Sequence, residues 1–363
     1  MKVKIYGAGS IGNHLSHASR SMGWSVDLCD LDIKALDRTK NLIYPSRYGE
    51  WDSKINLYEN KLAPKNIYDL IIIGTPPEFH IQLALEALEE RPKAILIEKP
   101  ICTPDLKDAD LLYNKSKEMK IPIFAGYDHV VGNAAIKLKE VLRSGVIGDI
   151  ISVDVDFREH WGGIFSAHPW LDGPSDSYLG FSQKGGGALC EHSHALNFWQ
   201  YISLICNKGK IKEIHATLKE IQTEKFSYDE ISFLTLKTDE GLIGRVVQDV
   251  VTKPIRKKAT VTGSKGLAYW ICNYKKDTDA VISINNSGSK KEYLFEKTRP
   301  DDFIQELKFI KKFTHNDNNL FNPISLEYGL DTMLVISAAF KSYKQKKTLS
   351  INYQKGYTID AII

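Results

Sequence analysis

The chain has 363 residues, with 48 Lys and Arg against 45 Asp and Glu, a formal charge of +3 and 43% apolar residues. That length fits about two domains. The near balance of charge, with no basic stripe and no block of one sign, argues against a nucleic-acid or membrane surface. No charged head, apolar run and small-residue cleavage site opens the sequence, and no run approaches the roughly 18 apolar residues of a membrane-crossing helix. The five cysteines are scattered without a C-x-x-C pair, so the expectation is a cytoplasmic protein with reduced thiols.

The first elements read as a nucleotide-binding unit. Lys2–Tyr6 is a strand, followed by Gly7-Ala-Gly9-Ser10-Ile11-Gly12 and a helical stretch. In a G-x-G-x-x-G turn the first glycine permits the tight bend. The second lets the backbone approach a pyrophosphate, and the third lets the helix pack on the strand. The helix N-terminus adds unpaired N–H groups and a positive dipole end. The next strand, "SVDLCDLD", ends at Asp30, 18 residues after Gly12. An acid near that spacing binds the ribose hydroxyls and repels a 2′-phosphate, which favours NAD and leaves NADP as the alternative. Asp32 could serve in its place.

"YDLIIIGTPP" is a continuous apolar strand, as expected of a parallel sheet covered on both faces. "EFHIQLALEALEER" is a helix, "KAILIEKP" a strand, "DLKDADLLYNKSKEMK" a helix and "IPIFAGY" a strand. Strands and helices alternating at this spacing predict a doubly wound parallel sheet, with its ligand beyond the strand C-termini. Thr75-Pro76-Pro77, Glu98-Lys99-Pro100 and Gly126 to His129 would gather there with the glycine turn. Lys99, at the mouth of a buried strand, is either a hydrogen-bond donor to a substrate hydroxyl or an ordinary strand-end lysine paired with Glu98.

Past residue 125 the pattern changes, and the boundary is set there: 1–125 and 126–363. One helix is followed by "GDIISVDVDFREHW", whose Ile151, Val153, Val155 and Phe157 alternate with Ser152, Asp154, Asp156 and Arg158. Six further strand-like runs between residues 210 and 286 lack intervening helices. This predicts an α+β domain with an antiparallel sheet. The last two helical stretches could pack back on the first domain. Between the first of these strands and a triple glycine lies a long irregular segment, and such loops are usually functional. Its Trp161 and Trp170 could stack on a sugar, and Arg158, His160 and His168 could bind hydroxyls or a phosphate. The alternative is a self-packed loop.

The triple glycine opens "GGGALCEHSHALNFW", Gly185 to Trp199. On a regular helix Glu191 and His194 stand about 60° apart and can touch, whereas His192 points about 100° from Glu191. A carboxylate beside an imidazole suits acid–base work, and a buried structural pair is the alternative reading. No metal is expected, because His192 and His194 diverge on a helix.

The Rossmann start, "TPPEFH", "ILIEKP", "FAGYDHVVGNAAIKLKEVLRSGVIGDI" and "GGGALCEHSHALNFW", in that order, resemble the Gfo/Idh/MocA oxidoreductase family. The resemblance covers essentially the whole chain. It implies a Rossmann domain and a C-terminal α/β domain with an open, mainly antiparallel sheet. It implies NAD(P)-dependent redox chemistry on a sugar, cyclitol or similar hydroxy compound, with surface-polysaccharide sugars among the family's substrates. By the same resemblance the chain is a homodimer or homotetramer formed through that sheet. The expected cofactor residues are then Gly7, Gly9, Ser10, Ile11, Gly12, Asp30, Thr75, Pro76, His80, Glu98 and Lys99. Those expected at the substrate are Lys99, His129, Arg158, His160, Trp161, His168, Trp170, Glu191, His192 and His194. Lys99, Glu191 and His194 are expected to be catalytic, with Asp249 and Lys253 in reserve. One departure matters. The family usually has Asp and then His four residues on, which puts Ala195 at the histidine position and His194 one place early. On a regular helix that turns the imidazole by about 100°. His192, His129 or Lys99 could therefore share its role or take it.

Overall fold

The structure is a computed structural model that describes residues 1–166, 168, 170–316 and 321–363. The chain forms two compact units. The first comprises Met1–Cys102, Asp108–Asp128 and Arg299–Gly329, and the second Thr103–Lys107, His129–Thr298 and Leu330–Ile363.

The first unit holds a six-stranded parallel sheet in the order β3-β2-β1-β4-β5-β6. Its strands are β1 (Lys2–Tyr6), β2 (Ser25–Asp30), β3 (Ile55–Glu59), β4 (Leu70–Ile73), β5 (Ala94–Glu98) and β6 (Ile123–Gly126). Every residue of β4 and β5 is buried, as their unbroken apolar sequence requires of central parallel strands. The helices are α1 (Ser10–Ser21), α2 (Ile33–Arg38), α3 (Tyr44–Tyr48), α4 (His80–Glu89) and α5 (Ala109–Met119). β3 was not foreseen: "INLYE" is short and only half-buried, so it lacks the apolar run that marks its neighbours.

The second unit carries α6 (Asn133–Arg143), α7 (Gly162–Ser166), α8 (Gly187–Glu191) and α9 (His194–Ile205). Its sheet has nine strands in the order β14-β13-β12-β11-β7-β10-β9-β8-β15. They are β7 (Ile150–Arg158), β8 (Ile211–Gln222), β9 (Ser227–Thr238), β10 (Ile243–Asp249), β11 (Arg256–Gly263), β12 (Gly266–Lys275), β13 (Thr278–Asn285), β14 (Lys290–Glu296) and β15 (Leu349–Ser350). All neighbours pair antiparallel except β7 and β10, which are parallel. α6 packs on β12–β14, and α9 on β7 and β10. Val153, Val155 and Phe157 are therefore buried, while Asp154, Asp156 and Arg158 point to the other face.

The two late helices divide between the units. α10 (Arg299–Asn316) lies in the first and packs on α1, and α11 (Leu326–Gln345) falls mainly in the second. The sequence-based boundary at 125 therefore lies just ahead of the transition at Asp128–His129. Among the described residues no helix is long and apolar enough to cross a membrane.

Candidate active site

The glycine turn is shaped by what cannot fit there. Gly7 has φ +100°, and a Cβ on it would stand 2.6 Å from the Gly74 carbonyl oxygen. A Cβ on Gly12 would lie 1.9 Å from the Gly7 oxygen, so α1 can pass this close to β1 only with glycine there. At Gly9 a Cβ would meet no atom within 4 Å. The space it would fill stands open at the N-terminus of α1, where a pyrophosphate fits. Asn13 donates to the Gly9 carbonyl at 2.8 Å and Thr39 Oγ1 to that of Ala8, which fixes the turn.

Asp30 sits at the end of β2. Its Oδ2 accepts from the Ala8 N–H at 2.7 Å and its Oδ1 from the Asp32 N–H at 2.9 Å. Each oxygen keeps a lone pair for a ribose hydroxyl. Asp32 serves the helix instead, capping α2 by accepting from the Lys34 N–H at 2.9 Å. These residues fit a dinucleotide whose adenosine ribose carries a free 2′-hydroxyl rather than a 2′-phosphate.

His80 is 1% exposed, and its ring nitrogens face the carbonyls of Thr75 at 2.7 Å and Pro100 at 2.9 Å. Burial lowers its pKa to about 4. A neutral imidazole has one N–H, so one of the two contacts is a donated bond at a time. The ring ties the turn after β4 to the turn after β5, the one that carries Lys99. Glu98, buried at the end of β5, has its carboxyl pushed up to about 8, chiefly by desolvation and then by Asp128, against the pull of Lys99. Two further acids in this unit share that field. Glu306 on α10 is fully buried, both its carboxyl oxygens lack a hydrogen-bond partner among the described residues, and burial with Glu98, Asp128 and Asp302 nearby raises its pKa well above the ordinary value. Sequence reading missed this group. Its signal was Asp302 and Glu306, one turn apart on the helix stripe that also buries Phe303, Leu307 and Ile310.

In the second unit the glycine-led segment does not form one helix. α8 ends at Glu191, His192 takes φ −98° and ψ 25°, and α9 starts at His194. At the break the Ser193 N–H bonds the Cys190 carbonyl at 3.2 Å and the Ala195 N–H the His192 carbonyl at 2.8 Å. These are i→i−3 bonds, and in such a tightened turn residues three apart eclipse. Such tightening narrows the angle of about 60° that separates Glu191 and His194 on a regular helix.

The His194 ring lies 4.8 Å from that of His129, centroid to centroid, at 53°. His129 meets Phe157 at 5.5 Å and Trp270 at 5.6 Å, and those two stack at 5.8 Å and 8°. His129 thus stands on an aromatic floor, with His194 beside it. His192 turns elsewhere: it is 5% exposed, with Nε2 3.3 Å from the Glu159 carbonyl, to which it can donate. Beside it Lys257 pairs with the Glu159 carboxylate at 2.6 Å, a partner that sequence reading missed.

The long loop is divided. Trp161 is 7% exposed and packs with Leu179, Ala188, Tyr228 and Val250 in a small core, so this part of the loop is held against α8 and β9. His160 accepts the Gly162 N–H on Nδ1 at 2.8 Å, which leaves its proton on Nε2. His168 stands 2.6 Å from the Ile164 carbonyl through Nδ1 and 5.1 Å from the half-buried Trp170 ring. Arg158 lies on the sheet face opposite Phe157, held by Asp249 at 3.2 Å and Asp156 at 3.3 Å and set over the Phe233 ring. It is not gathered with His129 and His194. Asp249, 1% exposed, also accepts from the Val251 and Thr252 N–H groups.

Residues 1–127 match the model of the oxidoreductase family with an NAD-binding Rossmann fold, and residues 135–269 match that of the GFO/IDH/MocA C-terminal domain. A myo-inositol 2-dehydrogenase of Thermotoga maritima is 22% identical over 293 residues, 78% of this chain and 80% of that protein. An uncharacterized oxidoreductase of Streptococcus pneumoniae is 26% identical over 153 residues, which span only 39% of that protein. The solved structure of levoglucosan dehydrogenase with NADH and levoglucosan superimposes with a TM-score of 0.75 at 15% identity, over 97% of this chain and 99% of that one. At that identity the likeness speaks for the fold.

Proposed function

Because the chain belongs to the Gfo/Idh/MocA oxidoreductase family, we propose that it moves a hydride between NAD and a hydroxyl-bearing carbon of a sugar, sugar derivative or cyclitol, with surface-polysaccharide sugars one such substrate class. The glycine turn from Gly7 to Gly12 holds the pyrophosphate, Asp30 the ribose, and the turns at Thr75-Pro76 and Glu98-Lys99 the rest of the cofactor. When bound, the nicotinamide supplies the hydride acceptor or donor. Lys99 donates to the substrate hydroxyl and favours loss of its proton. His194 takes that proton in oxidation and returns it in reduction. Glu191 orients the imidazole and stabilises its charged form. An alcohol carbon gives up hydride readily only as its hydroxyl proton leaves, so such a base is needed.

The observation that carries this reading is the place of His194: half-buried, beside His129, on a turn tightened by i→i−3 bonds. The nine-stranded sheet leaves one face for self-association. Phe233 (47% exposed) and Ile243 (52%) stand there among the Arg245–Asp154 and Arg256–Asp156 pairs. We place a homodimer or homotetramer contact on that face, with Arg158 part of it.

A thermal-shift screen with NAD(H), NADP(H) and free and nucleotide-linked sugars and cyclitols tests the assignment, because a ligand of the native state raises the Tm. Hits then go to an absorbance assay for NADH. Stabilisation by NAD together with turnover of a hydroxy substrate is expected. Stabilisation by NAD without hydride transfer to or from any compound of the panel would leave a nucleotide-binding protein and overturn the catalytic reading.

A further inference from the structure

The backbone around Glu191 and His194 is held from below by two fully buried polar side chains that the proposed chemistry does not use. Asp229, on β9 and 0% exposed, accepts the Leu189 N–H on Oδ2 at 2.7 Å and the Ser182 hydroxyl on Oδ1 at 2.9 Å. Ser182 Oγ in turn accepts the Asp229 N–H at 3.0 Å. Gly187, at φ +77°, leaves room for this carboxyl: a Cβ there would lie 2.0 Å from Asp229 Oδ1. Gln248, on the adjacent strand β10 and also 0% exposed, donates from Nε2 toward the carbonyls of Ala188 at 3.3 Å and Leu189 at 3.2 Å. The break after Glu191 leaves the Leu189 carbonyl without its regular helical acceptance, because the Ser193 N–H goes to Cys190 instead. Gln248 meets that demand. The small core around Trp161 closes on Ala188 from the loop side.

We propose that Asp229 and Gln248 are positioning residues: they clamp the N–H and C=O groups of the first turn of α8 to the sheet and so fix the break that directs Glu191 and His194. This rests on the reading of His194 as the group that moves the proton. The three contacts act on one short piece of backbone. A five-residue helix has too few internal bonds to hold itself. Its direction must therefore come from outside, and Asp229 reaches it where Gly187 has removed the obstacle. Buried polar groups of this kind are costly to leave unpaired, which makes the turn's position a single well-defined one.

The test uses the full chain with Asp229→Asn, Asp229→Leu, Gln248→Leu and, as the mildest variant, Ser182→Ala. Two readouts do not depend on catalysis: hydrogen exchange of the Leu189 amide, and the NMR titration of the His194 ring, assigned with His194→Asn. His215, exposed on β8, is the internal control. The expected result is Leu189 exchange at least tenfold faster in Asp229→Leu and less so in Asp229→Asn, which keeps one acceptor oxygen. The His194 signal and midpoint should move in both while His215 stays unchanged. On a turned-over substrate kcat should fall more than tenfold with the Kd for NADH unchanged. An unchanged Leu189 amide and His194 titration in folded Asp229→Asn and Ser182→Ala protein would overturn the clamp, even if Asp229→Leu does not fold. If these readouts respond but no substrate is oxidised by wild type, the clamp stands and the catalytic reading fails.

Discussion

The imidazoles of His129 and His194 face each other at 4.8 Å, although 65 positions separate them in the chain. His129 stands at the entry to the second unit and His194 at the start of α9. Phe157 and Trp270, from β7 and β12, form the floor under His129. If His194 is the group that moves the proton, His194→Asn should lower kcat by about 10²–10⁴-fold with the Kd for NADH unchanged. His129→Phe keeps the ring packing and should cost roughly tenfold or less on the same scale. Steady-state kinetics and NADH fluorescence titration check both. A His194→Asn enzyme within threefold of wild type would remove the assignment.

Gly9 and Gly12 should behave oppositely. Gly12→Ala places a Cβ 1.9 Å from the Gly7 oxygen, so the turn itself must shift, and both Tm and NADH affinity should drop. Gly9→Ala meets no protein atom within 4 Å, so Tm without cofactor should stay within about 1 °C while NADH affinity falls about tenfold or more. Equal effects of the two substitutions on apo stability would contradict a pyrophosphate cradle at this turn.

Asp30 should set the choice of cofactor. Its carboxylate is fixed by two backbone N–H groups and keeps lone pairs for a ribose hydroxyl. Asp30→Asn removes the charge that repels a 2′-phosphate, so the ratio of NADPH to NADH affinity should rise by about tenfold. An unchanged ratio in a calorimetric titration would count against it.

The buried acids of the first unit should make stability fall toward alkaline pH. Glu98 is raised to about 8 and Glu306 is raised well above the usual carboxylate range, so in the window above the unfolded pKa the folded chain holds more protons than the unfolded one. Their stabilising contribution is present in full below the unfolded pKa; that of Glu98 is lost as the pH climbs through about 8, and that of Glu306 as the pH climbs through its own raised pKa. Tm should fall between pH 6 and 9, and Glu306→Gln should flatten that fall. Parallel curves for the two proteins would show that Glu306 is ionised already at neutral pH.

By itself the sequence determined the parts whose signal is local. The glycine turn, the acid 18 residues beyond it, the apolar parallel strands and the alternation of β7 are each written within about thirty residues, and each follows from backbone sterics or side-chain period. It also marked the segment from Gly185 to Trp199 as the place to look. Tertiary structure decided the rest. The helix break at His192 depends on Gln248 and Asp229, some forty to sixty residues away, which supply the bonds a broken helix lacks. The inward acids on α10 look like solvated charges until the helix is set on α1. Whether Trp161 and Arg158 reach a ligand or serve packing depends on which face of β7 and which strand end they meet. A lone side chain's chemistry is fixed by its residue type, but its partners are fixed by burial, and burial is a property of the whole fold.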